Sequence, residues 1–498
     1  MAAKRTISFS AALLLLCSLA PRAGAAQPAC ESALKGSVAA ESTRLDASAY
    51  ADADAYENPA PSVGTVRIGL RYGESAVAYA EFENSGGAGF IIGKYDAARS
   101  FTELARTDAS DLVVSVSSGG GAWHILLDTR YGTQSEAQNA AAAYGGSVQI
   151  VDGEYRVLYG AYDSREAAEA VRDRFGLPGS AYTAEKGGIR VVSGLDSSAV
   201  YSAAAEESAI ALVPVSDGAG LTEYRGNFYR GGFECAVFDS TRLNVINCVA
   251  LEDYVKGVIP YEMSYDWPFE ALKAQAICAR TYVVYNQEHY PDHGFDLTDN
   301  TESQVYRGTG EANATTDAAV DETAGQLVRY RGEICEVYYF ASDGGATEDG
   351  LNVFDTDRAY LAGVIDPFEQ AVDYSIKNWT ARRTGEELAG LLLERGYELG
   401  EVTAIELLRS ATGNVVSMSF YDASGGSVRL DGRKSYTSIG LNNCRFSVEQ
   451  DGEDFVFYGS GWGHNCGMSQ WGANAMASVY GFNCEDIIRF YFTGAYIA

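Results

Sequence analysis

One stretch restricts this chain more than any other: Leu251 to Asn286, LEDYVKGVIPYEMSYDWPFEALKAQAICARTYVVYN. Leu251, Tyr254, Val255 and Val258 fall at i, i+3, i+4 and i+7, the apolar face of a helix. Pro260 brings no N–H and crowds the preceding turn, which predicts that this helix stops near Ile259. Asp266-Trp267-Pro268 announces a second helix, with a capping side chain followed by a proline tolerated in the first turn. Phe269, Leu272, Ala276, Ala279 and Val283 then repeat at helical spacing and bury one face. A lone carboxylate, Glu262, falls in the joint, held by rigid elements without being enclosed by either.

The rest of the chain sets the context for that joint. Nearly half of its 498 residues are apolar, enough for sizeable cores and two or more domains. A formal charge of -30 repels nucleic acid and anionic lipid, which removes both as default partners. Residues 1–26 read as a secretory leader: Lys4-Arg5, an apolar run from Ala11 to Ala20, then small residues. The predicted location is therefore extracytoplasmic, in the cell wall or secreted. Eight cysteines follow the leader, an even number that permits disulfides without pairing them, since no CxxC occurs.

Residues 27–62, rich in Ala, Asp and Ser, read as a flexible linker. Residues 63–120 carry strand-like runs with Gly-rich turns, ending at Gly119-Gly120-Gly121. Between 121 and 192 the text repeats itself: WHILLD precedes the helical SEAQNAAAAY, and YRVLYGAY precedes the helical SREAAEAVRDRF. GIRVV is read as the strand that closes this small α+β set. Its second half resembles a SPOR repeat, a module that binds glycan strands stripped of peptides. That resemblance implies exposed sheet tyrosines, such as Tyr159 or Tyr162, stacking on sugar faces. Residues 193–498 form the remaining domain.

From Tyr224 onward the order of blocks is RG, NVINCVALEDYVKGVIPYEM, WPFEALKAQAICARTYVVY, SQVYRG, YFASDGGATED and GSGWGHNCGMSQWGANAMA. This series resembles the SpoIID/LytB family, the stage II sporulation protein D type of cell-wall protein. The resemblance implies an α+β fold in which the SPOR-like module is inserted or precedes the catalytic domain. The strands near Val66 are expected to belong to the same fold. It implies a lytic transglycosylase that cuts the β-1,4 bond between N-acetylmuramic acid and N-acetylglucosamine and closes a 1,6-anhydro ring.

Glu262, in the family's GV-P-x-E-M context, is then the acid/base. Because the sugar's own O6 attacks C1, one carboxyl suffices where ordinary glycosidases need two. Acting as an acid near neutral pH requires a raised pKa, which Ile259, Tyr261, Met263 and Trp267 would supply by desolvation.

The remaining candidates are graded by position. Gln275 and Arg280, placed on the polar side of the second helix, either bond the saccharide or support the helix. Gln304 and Tyr306, with Ser342, Gly344 and Gly345, match blocks expected to line the cleft. His464, Gln470 and Trp471 sit in or beside a glycine-rich loop, with Ser469 capping the next helix. Some family members carry zinc in a Cys-Asp-Thr-Thr-His-Cys run before QVY. Here Thr298-Asp299-Asn300-Thr301-Glu302-Ser303 stands in its place, so neither a metal nor a cofactor is expected. The implied partner is peptidoglycan, as peptide-stripped glycan strands. The alternative reading is a non-enzymatic enhancer of an N-acetylmuramoyl-L-alanine amidase, and a third is a wall-binding protein with a decayed catalytic block.

Overall fold

The computed structural model describes residues 63–118, 122–151, 153–183, 187–195, 199–202, 208–216 and 220–498. The expected leader, the linker and the Gly119-Gly120-Gly121 break lie outside these residues. The fold is α+β. The strand Thr65–Arg71 turns Val66 and Ile68 inward and pairs antiparallel with Leu243–Ala250, 180 residues later. Both belong to a seven-stranded sheet in the order Leu297–Thr298, Thr65–Arg71, Leu243–Ala250, Gly232–Val237, Ala209–Pro214, Phe90–Tyr95, Phe101–Thr107. Early and late segments thus share one sheet. Leu243–Ala250 is buried on both faces, which explains its apolar text without alternation.

That strand runs directly into the helix Leu251–Glu262, which continues through Pro260 instead of stopping at Ile259. The proline lies in the last turn, so only its own missing N–H is lost, and the Met263 N–H still bonds the Ile259 carbonyl at 2.9 Å. Glu262 is therefore the helix's last residue, not part of a separate joint. The second helix, Phe269–Tyr285, is capped by Pro268 with no side-chain bond, and Asp266 is exposed upstream of it. Expected to be amphipathic, this helix is buried on nearly every side, because the helices Ala314–Glu322, Gln470–Ser478 and Cys484–Tyr491 all pack against it. Its alanines allow that close approach.

Within residues 122–183 the order is strand, helix, two strands, helix, strand. The four strands lie side by side as Ser147–Val151, Glu154–Tyr162, Trp123–Leu127 and Gly179–Tyr182. Thr133 and Glu136 form a capping box on the first helix, Gln134–Tyr144, and Ser164 caps the second, Arg165–Phe175. Gly145 and Gly176 end them at φ 68° and 60°, a left-handed conformation in which glycine carries no Cβ penalty. Ile189–Ser193 does not close this set. It pairs with Asp111–Val116, and the Ser117 N–H bonds the Gly188 carbonyl at 2.7 Å. The unit is thus inserted at the tip of a hairpin. Tyr159 and Tyr162 pack with Ile125, Val157 and Ala168 on the helix-covered side, so neither stands on the open sheet face.

Residues 378–460 build a further lobe that the sequence reading did not separate. Two three-stranded sheets and the helix Gly385–Glu394 enclose a core of Leu388, Leu392, Met418, Phe420 and Phe457. The lobe is looped out between Tyr339–Phe340 and Met468–Ser469, two short strands that pair in parallel beside Glu262's partners. The seven described cysteines after Cys30 carry free thiols.

Candidate active site

Glu262 ends its helix with a partly buried side chain that two donors reach. Gln470 Nε2 donates to Oε2 at 3.2 Å, and the Val305 N–H to Oε1 at 3.4 Å. The Tyr339 hydroxyl lies near the same carboxyl. Burial raises the carboxyl above its ordinary value, and these three groups, Gln470 first, oppose that rise. The result is a carboxyl held in place yet biased toward keeping its proton.

Each donor is fixed by a different element. Gln470 opens the helix Gln470–Ser478, whose cap is Ser469 as expected: its Oγ accepts the Gly472 N–H at 3.1 Å. The same hydroxyl donates to Glu369 Oε2 at 2.6 Å, which ties the helix start to a buried carboxylate. Gln304 is buried and does not touch Glu262. Its Nε2 donates to the Tyr339 hydroxyl at 2.9 Å, while its Oε1 accepts from the Tyr254 hydroxyl at 3.0 Å. His464 also acts at one remove. Its Nδ1 accepts the Cys466 N–H at 3.2 Å, so Nε2 carries the proton and donates to the Tyr339 carbonyl at 2.9 Å. Burial pushes the imidazole down to about 3, so it stays neutral and holds the loop. Cys466 is fully buried with its thiol pushed well above the usual range by burial, which leaves no thiolate for nucleophilic chemistry.

Several expected site residues lie elsewhere. Gln275 and Arg280 are not on a polar face, because both are 0% exposed. Arg280 forms a two-pronged pair with Glu252 at 2.8 and 2.7 Å and donates to the Val320 and Gln326 carbonyls at 3.2 and 3.3 Å. Glu252, in the first turn of Leu251–Glu262, anchors that guanidinium. The amide of Gln275 has no hydrogen-bond partner, and the structure offers no physical account of it. Tyr306 is core: its hydroxyl donates to Asn247 Oδ1 at 2.8 Å and its ring packs on Tyr254. Trp471 keeps an open edge, but Tyr374 stacks on it at 4.3 Å and Trp267 meets it at 4.6 Å.

Ser342 and Gly344 are buried and wrap Glu369 instead of lining the cleft. The Ser342 hydroxyl donates to Glu369 Oε1 at 2.7 Å, and the Gly344 N–H at 3.1 Å. Gly344 sits at φ 67°, and an added Cβ would lie 2.6 Å from the Ser460 backbone, so only glycine fits. Gly345, at φ 119°, directs its N–H to Asp343 Oδ1 at 2.6 Å.

Asp343, Asp366 and Glu369 are the described residues whose oxygens gather as a metal set would, all within 4.8 Å. Two of the three are already heavily engaged, while Asp343 Oδ2 has no hydrogen-bond partner. Glu369 accepts from Ser342, Tyr374, Ser469 and two backbone N–H groups, and Asp366 from Tyr491 and two more. Burial, then the charges of Asp366 and Glu369, push Asp343 well above the carboxylate range. The unpartnered Asp343 Oδ2 leaves the set one buried oxygen to receive a proton or face a cation. At the position of the family's zinc run, Thr298, Asn300 and Ser303 bond one another and present no thiolate or imidazole.

The family model for the stage II sporulation protein SpoIID matches residues 239–330, which hold both helices and the Gln304–Val305 loop. An uncharacterized protein of Brachyspira hyodysenteriae (strain ATCC 49526 / WA1) is 34% identical over 270 residues, 53% of this chain and 71% of that protein. The chain belongs to the SpoIID family. Stage II sporulation protein D of Bacillus subtilis (strain 168) is 28% identical over 311 residues, covering 59% of the present chain and 85% of its own. The amidase enhancer of the same organism is 27% identical over 286 residues, 48% of this chain and 39% of that one. In this SpoIID-family chain, sequence reasoning passed over Tyr339, Val305 and Glu369. Tyr339 lay in a quoted block without being singled out, and no local spacing links it to a glutamate 77 residues earlier.

Proposed function

We propose that the chain is an extracytoplasmic lytic transglycosylase of peptidoglycan. Glu262 would be the single acid/base in MurNAc–GlcNAc cleavage. The observation that carries this reading is the immediate setting of Glu262: an amide, a backbone N–H and a phenol, in a site whose burial raises the carboxyl. Membership of the SpoIID family supports a cell-wall role. In the reaction, Glu262 gives its proton to the glycosidic oxygen as the C1–O4 bond breaks. The muramic O6 then bonds to C1 and its proton returns to Glu262, giving the 1,6-anhydro end and a free 4-hydroxyl. No second carboxylate is needed.

The inserted unit of residues 122–183, with its strand–helix–strand–strand–helix–strand order, would hold the enzyme on peptide-stripped glycan strands and raise local substrate concentration. The second reading, an enhancer of a cell-wall amidase, draws on the relative of that name. Incubating the purified chain alone with sacculi and analysing muropeptides by mass spectrometry separates the two. The expected result is anhydro-muropeptide release that falls at least a hundredfold in Glu262→Ala and Glu262→Gln. Release that persists in either variant removes Glu262 from the role. No product, with faster digestion by an added amidase, supports the enhancer.

A further inference from the structure

We propose that Asp343, Asp366 and Glu369 hold a divalent cation of calcium's kind behind the Glu262 site. The three residues are 0%, 1% and 0% exposed. One oxygen from each lies within 4.8 Å of the others. Oxygens that share a calcium ion at about 2.4 Å are separated by no more than about 4.8 Å, and this spacing meets that condition. Gly345 fixes the two aspartates relative to each other. Its N–H donates to Asp343 Oδ1 at 2.6 Å, and its carbonyl accepts the Asp366 N–H at 3.0 Å. With Oδ1 so held, Asp343 Oδ2 is the oxygen left to the set, and it is buried without a hydrogen-bond partner.

Charge decides what faces that oxygen. Glu369 takes five hydrogen bonds, from the Ser342, Tyr374 and Ser469 hydroxyls and the Asp343 and Gly344 N–H groups. Asp366 takes three, from the Tyr491 hydroxyl and the Phe368 and Glu369 N–H groups. Carboxyls that only accept are ionised ones, and none of these donors brings a positive charge. A proton on Asp343 would cancel its own charge and leave two buried neighbours uncompensated. A divalent cation offsets two charges at once, and the open Oδ2 gives it a ligand that no donor occupies.

The donor set selects the ion. It consists of carboxylate oxygens, which favour a hard cation over zinc or copper. Calcium takes about six to eight oxygens in adaptable geometry. The Ser342, Tyr374 and Ser469 hydroxyls stand against Glu369 as neutral oxygens whose hydrogens can turn. Magnesium demands near-ideal octahedral geometry and suits so crowded a set less. The place also differs from residues 298–303, where the family's zinc run would fall. The ion braces the Glu262 site from behind. Ser469, which caps the helix Gln470–Ser478, donates to Glu369 Oε2 at 2.6 Å, and Gln470 Nε2 reaches Glu262 Oε2 at 3.2 Å.

Because the three carboxyls are buried, the ion enters as the chain folds, and the test refolds the full chain from urea in EDTA or in millimolar calcium chloride. After gel filtration in metal-free buffer, elemental mass spectrometry should find about one calcium per chain in the second sample and none in the first. The calcium-refolded chain should melt a few degrees higher, as for any ligand bound by the folded state alone. Asp343→Asn keeps the size and the Oδ1 acceptor while removing the charge at the open oxygen. It should retain about tenfold less calcium or lower still, and melt at the same temperature after both treatments. Terbium refolded into the wild type should emit on excitation through Tyr374, whose hydroxyl bonds Glu369, and calcium should compete it away. That readout needs no variant. A wild type that retains no calcium, or an Asp343→Asn chain that retains as much as the wild type, overturns the proposal and assigns Oδ2 to a proton. None of these measurements reads product, so failure of the transglycosylase reading leaves them unchanged.

Discussion

Glu262 is placed where its two protonation states are balanced against each other. Burial disfavours the charge while Gln470, Val305 and Tyr339 favour it, and burial has the larger effect. The consequence for stability has a definite sign. Since the folded-state value lies above 4.5, the folded chain binds more protons than the unfolded chain just above that pH. Glu262 therefore makes the fold less stable as pH rises through its folded-state value. Glu262→Gln, which cannot ionise, should match the wild type below pH 4.5 and exceed it in denaturant midpoint at pH 7 to 8. Equal midpoints at both pH values would show that the carboxyl is not strained by its site. A buried carboxyl that lowers stability is the expected signature of a group retained for something other than packing.

At the scale of elements, the helix pair around Glu262 was legible because its apolar spacing is local, as were the capping box of Thr133 and the Ser469 cap. Pro260 misled, since a proline rule for helix interiors was applied in a last turn. Arg280 and Gln275 misled for another reason. Their side of Phe269–Tyr285 is covered by helices that arrive 30 to 200 residues later, which no periodicity within the helix reports. Arg280 is instead the brace between the two site helices, through Glu252 on the first. Glu252→Ala leaves a fully buried guanidinium without its carboxylate and should destabilise the fold by about 3 kcal/mol. The double change Arg280→Met with Glu252→Gln should recover most of that loss in chemical denaturation. A double variant as unstable as the single one would mean that shape, not charge, makes this contact.

For the whole molecule, the unit of residues 122–183 enters and leaves at one point. Ser117 bonds Gly188 and accepts from the Gly187 N–H at 2.8 Å, so the strands Asp111–Val116 and Ile189–Ser193 would form an ordinary hairpin without it. The sequence hid this because GIRVV reads equally well as the last strand of either sheet. The unit is nevertheless braced against the body. Tyr155 donates to the Arg106 carbonyl at 2.7 Å, and the strand Ala199–Ser202 pairs in parallel with Ser147–Val151. Replacing residues 119–186 by a short Asn-Gly turn should restore the hairpin. Because Ala199–Ser202 then becomes an edge, the melting temperature should drop by a few degrees while unfolding stays cooperative. Glu262-dependent product release from soluble glycan fragments should persist, and co-sedimentation with sacculi should fall about tenfold or more. Collapse of the whole fold on excision would instead make the inserted unit part of the scaffold that holds Glu262.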